Sequence, residues 1–148
     1  MARILVRYKG KPGAREPFYA TSGAVGADVY AFLDRDIVLE PGDTVLVPTG
    51  IYLEIPPGYE AQIRPRSGLA IKYGVTVINA PGTIDSDYRG EIQIGLVNLG
   101  RKEFVIHNGD RIAQMVFSPI VRASFVSVNS ISSSERGERG FGSTGING

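Results

Sequence analysis

The chain has 148 residues, a hydrophobic fraction of 43% and a formal net charge of +1. That length suits one domain around one core, and near-neutrality gives no general attraction to nucleic acid or to an anionic membrane. Cysteine is absent, which excludes disulfides and thiolate metal sites, and no apolar run approaches the ~20 residues that span a bilayer.

The opening "MARILVRYKG" reads as a strand and lacks the apolar core and cleavage site of a signal peptide, so a soluble cytoplasmic protein is expected. Further along, 19 glycines and 9 prolines punctuate short alternating runs. In chain order the strand candidates are Ile4–Tyr8, Asp28–Ala31, Thr44–Pro48, Ile51–Ile55 and Tyr59–Arg64, then Thr76–Asn79, Glu91–Leu96, Phe104–Ile106, Arg111–Phe117 and Phe125–Val128. In "EIQIGL" the residues Ile92, Ile94 and Leu96 share one face, the period of two of a half-buried strand. "EPGD", "PPGY", "NLGR" and "HNGD" supply turns. Between Ser67 as N-cap and Gly74 as stop there is room for one short helix. Many short strands at this spacing predict an all-β sandwich or barrel. Residues 1–128 form the expected body, and residues 129–148, where periodicity fails, an arm.

Five stretches carry more than turn chemistry. "AVGADVYA" places Asp28 at a strand entrance, either a site carboxylate or a turn aspartate bonded to its own backbone. "RPRSGLA" sets Arg66, Ser67 and Gly68 at a helix start, where N–H groups and guanidinium favour phosphate, or where a cap and solvated arginines suffice. "NAPGTIDSDYRGEI" reads as a hairpin with Asp85, Ser86, Asp87 and Tyr88 at its tip. The tip is a general base, a metal carboxylate set or a plain polar turn, with Tyr88 out of place in the last. "RIAQM", holding Gln114, is by itself only a strand. In the tail "SERGERGFGSTG", glycine N–H groups, Ser143 and Thr144 suit an anion, Arg136 and Arg139 add charge, and Phe141 suits a base. No Gly-Lys-Ser/Thr ending makes it a Walker loop.

In this order the five segments resemble the five motifs of the trimeric dUTPases, over Ser22 to Gly145. The resemblance implies a distorted β jelly roll with one short helix and a flexible C-terminal arm. It implies a homotrimer with each active site assembled from three chains, and hydrolysis of dUTP to dUMP and pyrophosphate with Mg²⁺. By the same resemblance Asp85 activates the water that attacks the α-phosphorus, and Tyr88 packs on the deoxyribose and refuses a 2′-hydroxyl. Asn79 with Gly82, Thr83 and Ile84 reads uracil. Arg66, Ser67, Gly68 and Gln114 bind phosphates, and Asp28 lies near the metal's water shell. In the arm, Arg136, Ser143 and Thr144 meet the γ-phosphate, with Gly142 beside them, and Phe141 covers uracil. Arg139 stands where the family usually has glycine, and His107, the one histidine, lies outside every motif. The rivals are a dCTP deaminase or bifunctional deaminase of the same fold, which resembles this chain but lacks the tail motif, and a non-catalytic binding module. Neither nucleic acid nor membrane is an expected partner.

Overall fold

In the computed structural model, which describes residues 1–147, ten strands and one helix form among the described residues. They are β1 (Arg7–Gly10), β2 (Ala27–Tyr30), β3 (Ile37–Leu39), β4 (Thr44–Glu54), β5 (Tyr59–Arg64), α1 (Ser67–Tyr73), β6 (Val75–Val77), β7 (Gly82–Ile84), β8 (Glu91–Asn98), β9 (Phe104–Ile106) and β10 (Arg111–Pro119). Two four-stranded sheets, ordered β1-β4-β8-β6 and β2-β10-β5-β7, enclose the core, and β3-β9 adds a small third. Every strand pair is antiparallel. This is the all-β architecture that the alternating pattern predicts, in the jelly-roll form that the resemblance implies.

Alternation decides the layering. Val47 on β4 faces Ile94 on β8, and both are fully buried in a cluster that also holds Val29, Ile63 and Met115 of the facing sheet. Burying such a side chain stabilises by ~1.5–3 kcal/mol. β4 fuses the two predicted runs Thr44–Pro48 and Ile51–Ile55 across an irregularity between Pro48 and Tyr52. Thr49 holds that bulge: its hydroxyl donates to the Ile92 carbonyl and accepts from the Ile51 N–H, while Gly50 takes a φ of 70° that a side chain would strain. Asn98, fully buried, ties the end of β3 to the β8–β9 loop by donating to the Leu39 and Lys102 carbonyls and accepting from Gly100 N–H.

Four expectations are corrected. The N-cap of α1 is Arg66, extended at φ −85° and ψ 128° with no side-chain cap bond, so Ser67 is the first helical residue. Gly74 does end the helix, left-handed at φ 72°. The Asn79–Ile92 segment is no simple hairpin: β7 crosses to pair with β5 in the second sheet, whereas β8 pairs with β4 and β6 in the first. Phe125–Val128 carries no strand among the described residues, because its alternation finds no ladder partner and Phe125 is 97% exposed. The first strand begins at Arg7, where Glu54 of β4 starts to pair with it, not at Ile4.

Candidate active site

One rung of the second sheet gathers three of the motifs. Gln114 on β10 lies in register with Asp28 on β2 and with Arg64 on β5, and residues directly opposed across antiparallel strands project on the same face. Asp28, largely buried, is paired with two guanidinium groups: Arg66 Nε lies 3.5 Å from Oδ1, and Arg111 Nη1 donates to Oδ2 at 3.5 Å. Arg66 Nη1 also donates to the Arg111 carbonyl at 3.3 Å. Gln114 Nε2 donates to the Pro65 carbonyl at 3.0 Å, which fixes its amide beside the start of α1, where Ser67 and Gly68 are exposed. Gly26 leaves room for this arrangement, since a Cβ there would stand 2.9 Å from Gln114 Cδ. The three arginines and one aspartate leave this end of the sheet net positive, which suits a polyanion.

The third motif builds a different surface. Two adjoining clefts of about 290 and 300 Å³ open between β7 and the β4–β8 edge. The first is lined by Asn79, Gly82 and Gly95, and the second by Asp85, Tyr88 and Glu91, with Leu46, Thr83, Ile84 and Gln93 shared between them. Their volumes lie at the small end of the range for ligand pockets. Asp85 is exposed at the end of β7, and its carboxylate has no ion pair or hydrogen bond among the described residues. The loop is braced from below: Tyr88 N–H donates to the Asp85 carbonyl at 3.2 Å, and Arg89 Nη1 donates to the Ser86 carbonyl at 2.7 Å. Tyr88 keeps 47% of its surface open.

The arm stands apart from both. Every residue from 121 to 139 is exposed, and Phe141 is fully exposed with a φ of 51°. Arg136 and Arg139 are tied to each other's backbone: Arg136 Nε donates to the Arg139 carbonyl at 2.8 Å and Arg139 Nε to the Arg136 carbonyl at 3.0 Å. Gly142 N–H is followed by a turn in which Gly145 N–H meets the Gly142 carbonyl at 2.9 Å, holding Ser143 and Thr144 outward.

Three residues of this site escape sequence reasoning. Arg111 looks like a solvated strand entrance, and Gly26 and Gly90 look like ordinary turn glycines. Their roles come from contacts with residues distant in sequence or from a ring folded back over the chain, so no local signal marks them. His107 proves to be an outlying group: its Nδ1 lies 3.0 Å from Asp36, and that hydrogen bond raises its pKa above the ordinary 6.5.

As for a metal, no group of three or more His, Cys, Asp or Glu residues stands together among the described residues. At the positive end Asp28 is the carboxylate present, and its two oxygens face Arg66 and Arg111.

The fold and these surfaces define a jelly-roll β protein with an arginine-rich rung at one end of a sheet and two small clefts beside β7. The dUTPase family profile matches residues 14–145. Relatives named deoxyuridine 5′-triphosphate nucleotidohydrolase include one from Desulfotalea psychrophila, 60% identical over 130 residues, covering 88% of this chain and 87% of the other. One from Treponema pallidum is 56% identical over 144 residues, covering 97% and 99%. Among solved structures, the Staphylococcus bacteriophage 80alpha dUTPase with dUPNHPP superposes with a TM-score of 0.87 at 27% identity, covering 96% of this chain and 99% of that one. The chain belongs to the dUTPase family. It is an enzyme that hydrolyses dUTP.

Proposed function

We propose that this enzyme is a Mg²⁺-dependent homotrimeric dUTP diphosphatase of the cytoplasm that releases dUMP and pyrophosphate by attack of water on the α-phosphorus. The observation that carries the shared-site part is the division of the chain's own surfaces. Asp28, Arg66, Ser67, Arg111 and Gln114 line neither cleft formed by Asn79, Asp85 and Tyr88. In this reading a site using both draws on neighbouring copies, with the arm of residues 129–148, exposed from 129 to 139, supplied by another.

In this reading uracil enters the first cleft. There Asn79 and the backbone of Gly82, Thr83 and Ile84 supply donors and acceptors, and a wrong base leaves them unpaired, which can discriminate by ~10⁴-fold. The deoxyribose lies on the Tyr88 ring. Asp85, with no partner of its own to hold its lone pairs, orients the attacking water and takes its proton. Arg66, Ser67, Gly68 and Gln114 hold the phosphates, and the arm adds Arg136, Ser143 and Thr144 at the γ-phosphate, Gly142 as an N–H donor and Phe141 over the base. Charge that develops on the leaving pyrophosphate falls among preorganised donors. A magnesium ion bound by the triphosphate would supply Lewis-acid neutralisation, with Asp28 reaching its water shell. Asp28 would then have to serve that shell while also holding Arg66 and Arg111.

The test is pyrophosphate release from dUTP, dTTP, dCTP and UTP, with and without Mg²⁺. Selective, Mg²⁺-dependent release from dUTP is expected. Ammonia release from dCTP would transfer the chain to the deaminase branch.

A further inference from the structure

Tyr88 is held by a seat built from the two residues that follow it by two and three positions. Its hydroxyl donates to the Glu91 carbonyl at 2.9 Å, so the ring folds back over the chain instead of pointing away from the loop. Beneath it lies Gly90. A Cβ built there would collide with the Tyr88 hydroxyl and stand 2.6 Å from Cζ and 2.9 Å from Cε1. Gly90 is not among the residues with positive φ, so its backbone conformation does not call for glycine. The ring calls for it.

Glu91, which supplies the accepting carbonyl, is itself clamped. Its carboxylate takes Lys11 Nζ at 2.9 Å on one oxygen and Gly50 N–H at 3.3 Å on the other, and its side chain is only 11% exposed. Its backbone pairs with Tyr52 just past the β4 bulge. The anchor point therefore belongs to the body of the sheet, while the loop it steadies, Asp85–Arg89, is mostly exposed.

We infer that Gly90 and Glu91 are specificity-positioning residues: together they fix the height and tilt of the Tyr88 ring, and through it the rejection of a 2′-hydroxyl. The inference rests on the proposed role of Tyr88 as the surface under the deoxyribose. The three atoms nearest a methyl group at position 90 all belong to the far end of the rotatable Tyr88 side chain, so the fold accommodates it and the ring gives way. Once lifted, the hydroxyl loses the Glu91 carbonyl, and a side chain already half open to solvent samples other rotamers. Asp85 is left where it was, because its carbonyl bond to the Tyr88 N–H and the Arg89 bond to the Ser86 carbonyl do not involve the Tyr88 ring.

The experiment compares kcat/KM for dUTP and for UTP in the full-length wild type, Gly90→Ala, Tyr88→Phe and Tyr88→Ala proteins, with thermal melting as a fold control. Gly90→Ala is expected to melt like wild type and to keep its kcat on dUTP within about threefold, while the dUTP:UTP selectivity ratio falls at least tenfold. The loss is expected mainly in KM, because the proton-accepting group has not moved. Tyr88→Phe, which keeps the seat but not the tether, should lose less. If Tyr88→Ala lowers selectivity and Gly90→Ala leaves it unchanged or raised, the seat is refuted while the role of Tyr88 stands. If Tyr88→Ala itself leaves selectivity intact, the role of Tyr88 is refuted and the inference falls with it. Should Gly90→Ala fail to fold, Tyr88→Phe decides alone: an unchanged ratio overturns the tether.

Discussion

Two aspartates, Asp28 and Asp85, belong to opposite ends of the second sheet, and their surroundings differ in every respect that matters. Asp28 is largely buried on β2, and its two oxygens are taken by Arg66 and Arg111. Asp85 stands exposed after β7 with its carboxylate unpartnered among the described residues. A carboxylate whose two oxygens face guanidinium groups has its lone pairs directed to them and holds those groups in place; an open one has lone pairs free to orient a water. In the proposed site the contrast gives the same residue type two jobs, one holding arginines ready for phosphate and one meeting the nucleophile. It also explains why the positive rung needs an acidic member at all. Without Asp28, Arg66 and Arg111 would repel each other and lose their fixed directions.

Breaking each end should therefore look different. Asp85→Asn removes the proton acceptor and little else, so kcat on dUTP should fall by roughly 10²–10⁴-fold. Circular dichroism and melting should be unchanged and nucleotide affinity nearly so; a near-normal kcat would remove the assignment. Next in size is Asn98→Ala, which tests the frame that carries both ends. It strands the Leu39 and Lys102 carbonyls and the Gly100 N–H, and denaturant unfolding should show a loss of about 2–4 kcal/mol. Arg111→Met should leave stability close to wild type but raise KM for dUTP several-fold with a smaller change in kcat, because it loosens Arg66 without touching Asp85. Equal losses in both parameters would mean that Arg111 acts in the reacting complex.

The smallest effect lies outside both ends. Asp36 raises the His107 pKa by a hydrogen bond and by charge, with Asp110 adding to the attraction. A group whose pKa is raised on folding contributes stability that is fully present below its unfolded value of about 6.5 and is lost as pH rises through the folded value. Both side chains are more than half exposed, so the gain is small. Asp36→Asn should flatten a slight rise in Tm seen on acidification from pH 8 to 6, and an unaltered profile would show that the pair contributes nothing.

Much of this molecule was legible in its sequence. Alternation in Ile92, Ile94 and Leu96 marked β8, and the motif residues lie in runs short enough to read. What stayed hidden follows from non-local pairing. β3 is only three residues long, and only its ladder with β9 makes Ile37–Leu39 a strand. β7 looked like one leg of a hairpin because sequence neighbours usually pair, yet its three residues complete the other sheet beside β5. Thr44–Pro48 and Ile51–Ile55 looked like two strands because Thr49 and Gly50 interrupt the alternation, and the Thr49 hydroxyl that bridges them bonds a carbonyl 43 positions away. Phe125–Val128 shows the converse: a good local pattern makes no strand without a partner edge. Arg139, the departure in the tail, turns its guanidinium onto the arm's own carbonyls of Arg136 and Glu135.

The claim that one site is shared between copies can be tested by mixing two inactive variants, Asp85→Asn and Arg66→Ala, after joint denaturation and refolding. Each carries one intact end. If adjacent protomers contribute the two ends, random assortment in a cyclic trimer makes about one site in four complete, and dUTP hydrolysis should recover to about a quarter of wild type. If the mixture stays as inactive as its components while wild type refolded in the same way is active, both ends act within a single chain, and the shared-site account is wrong.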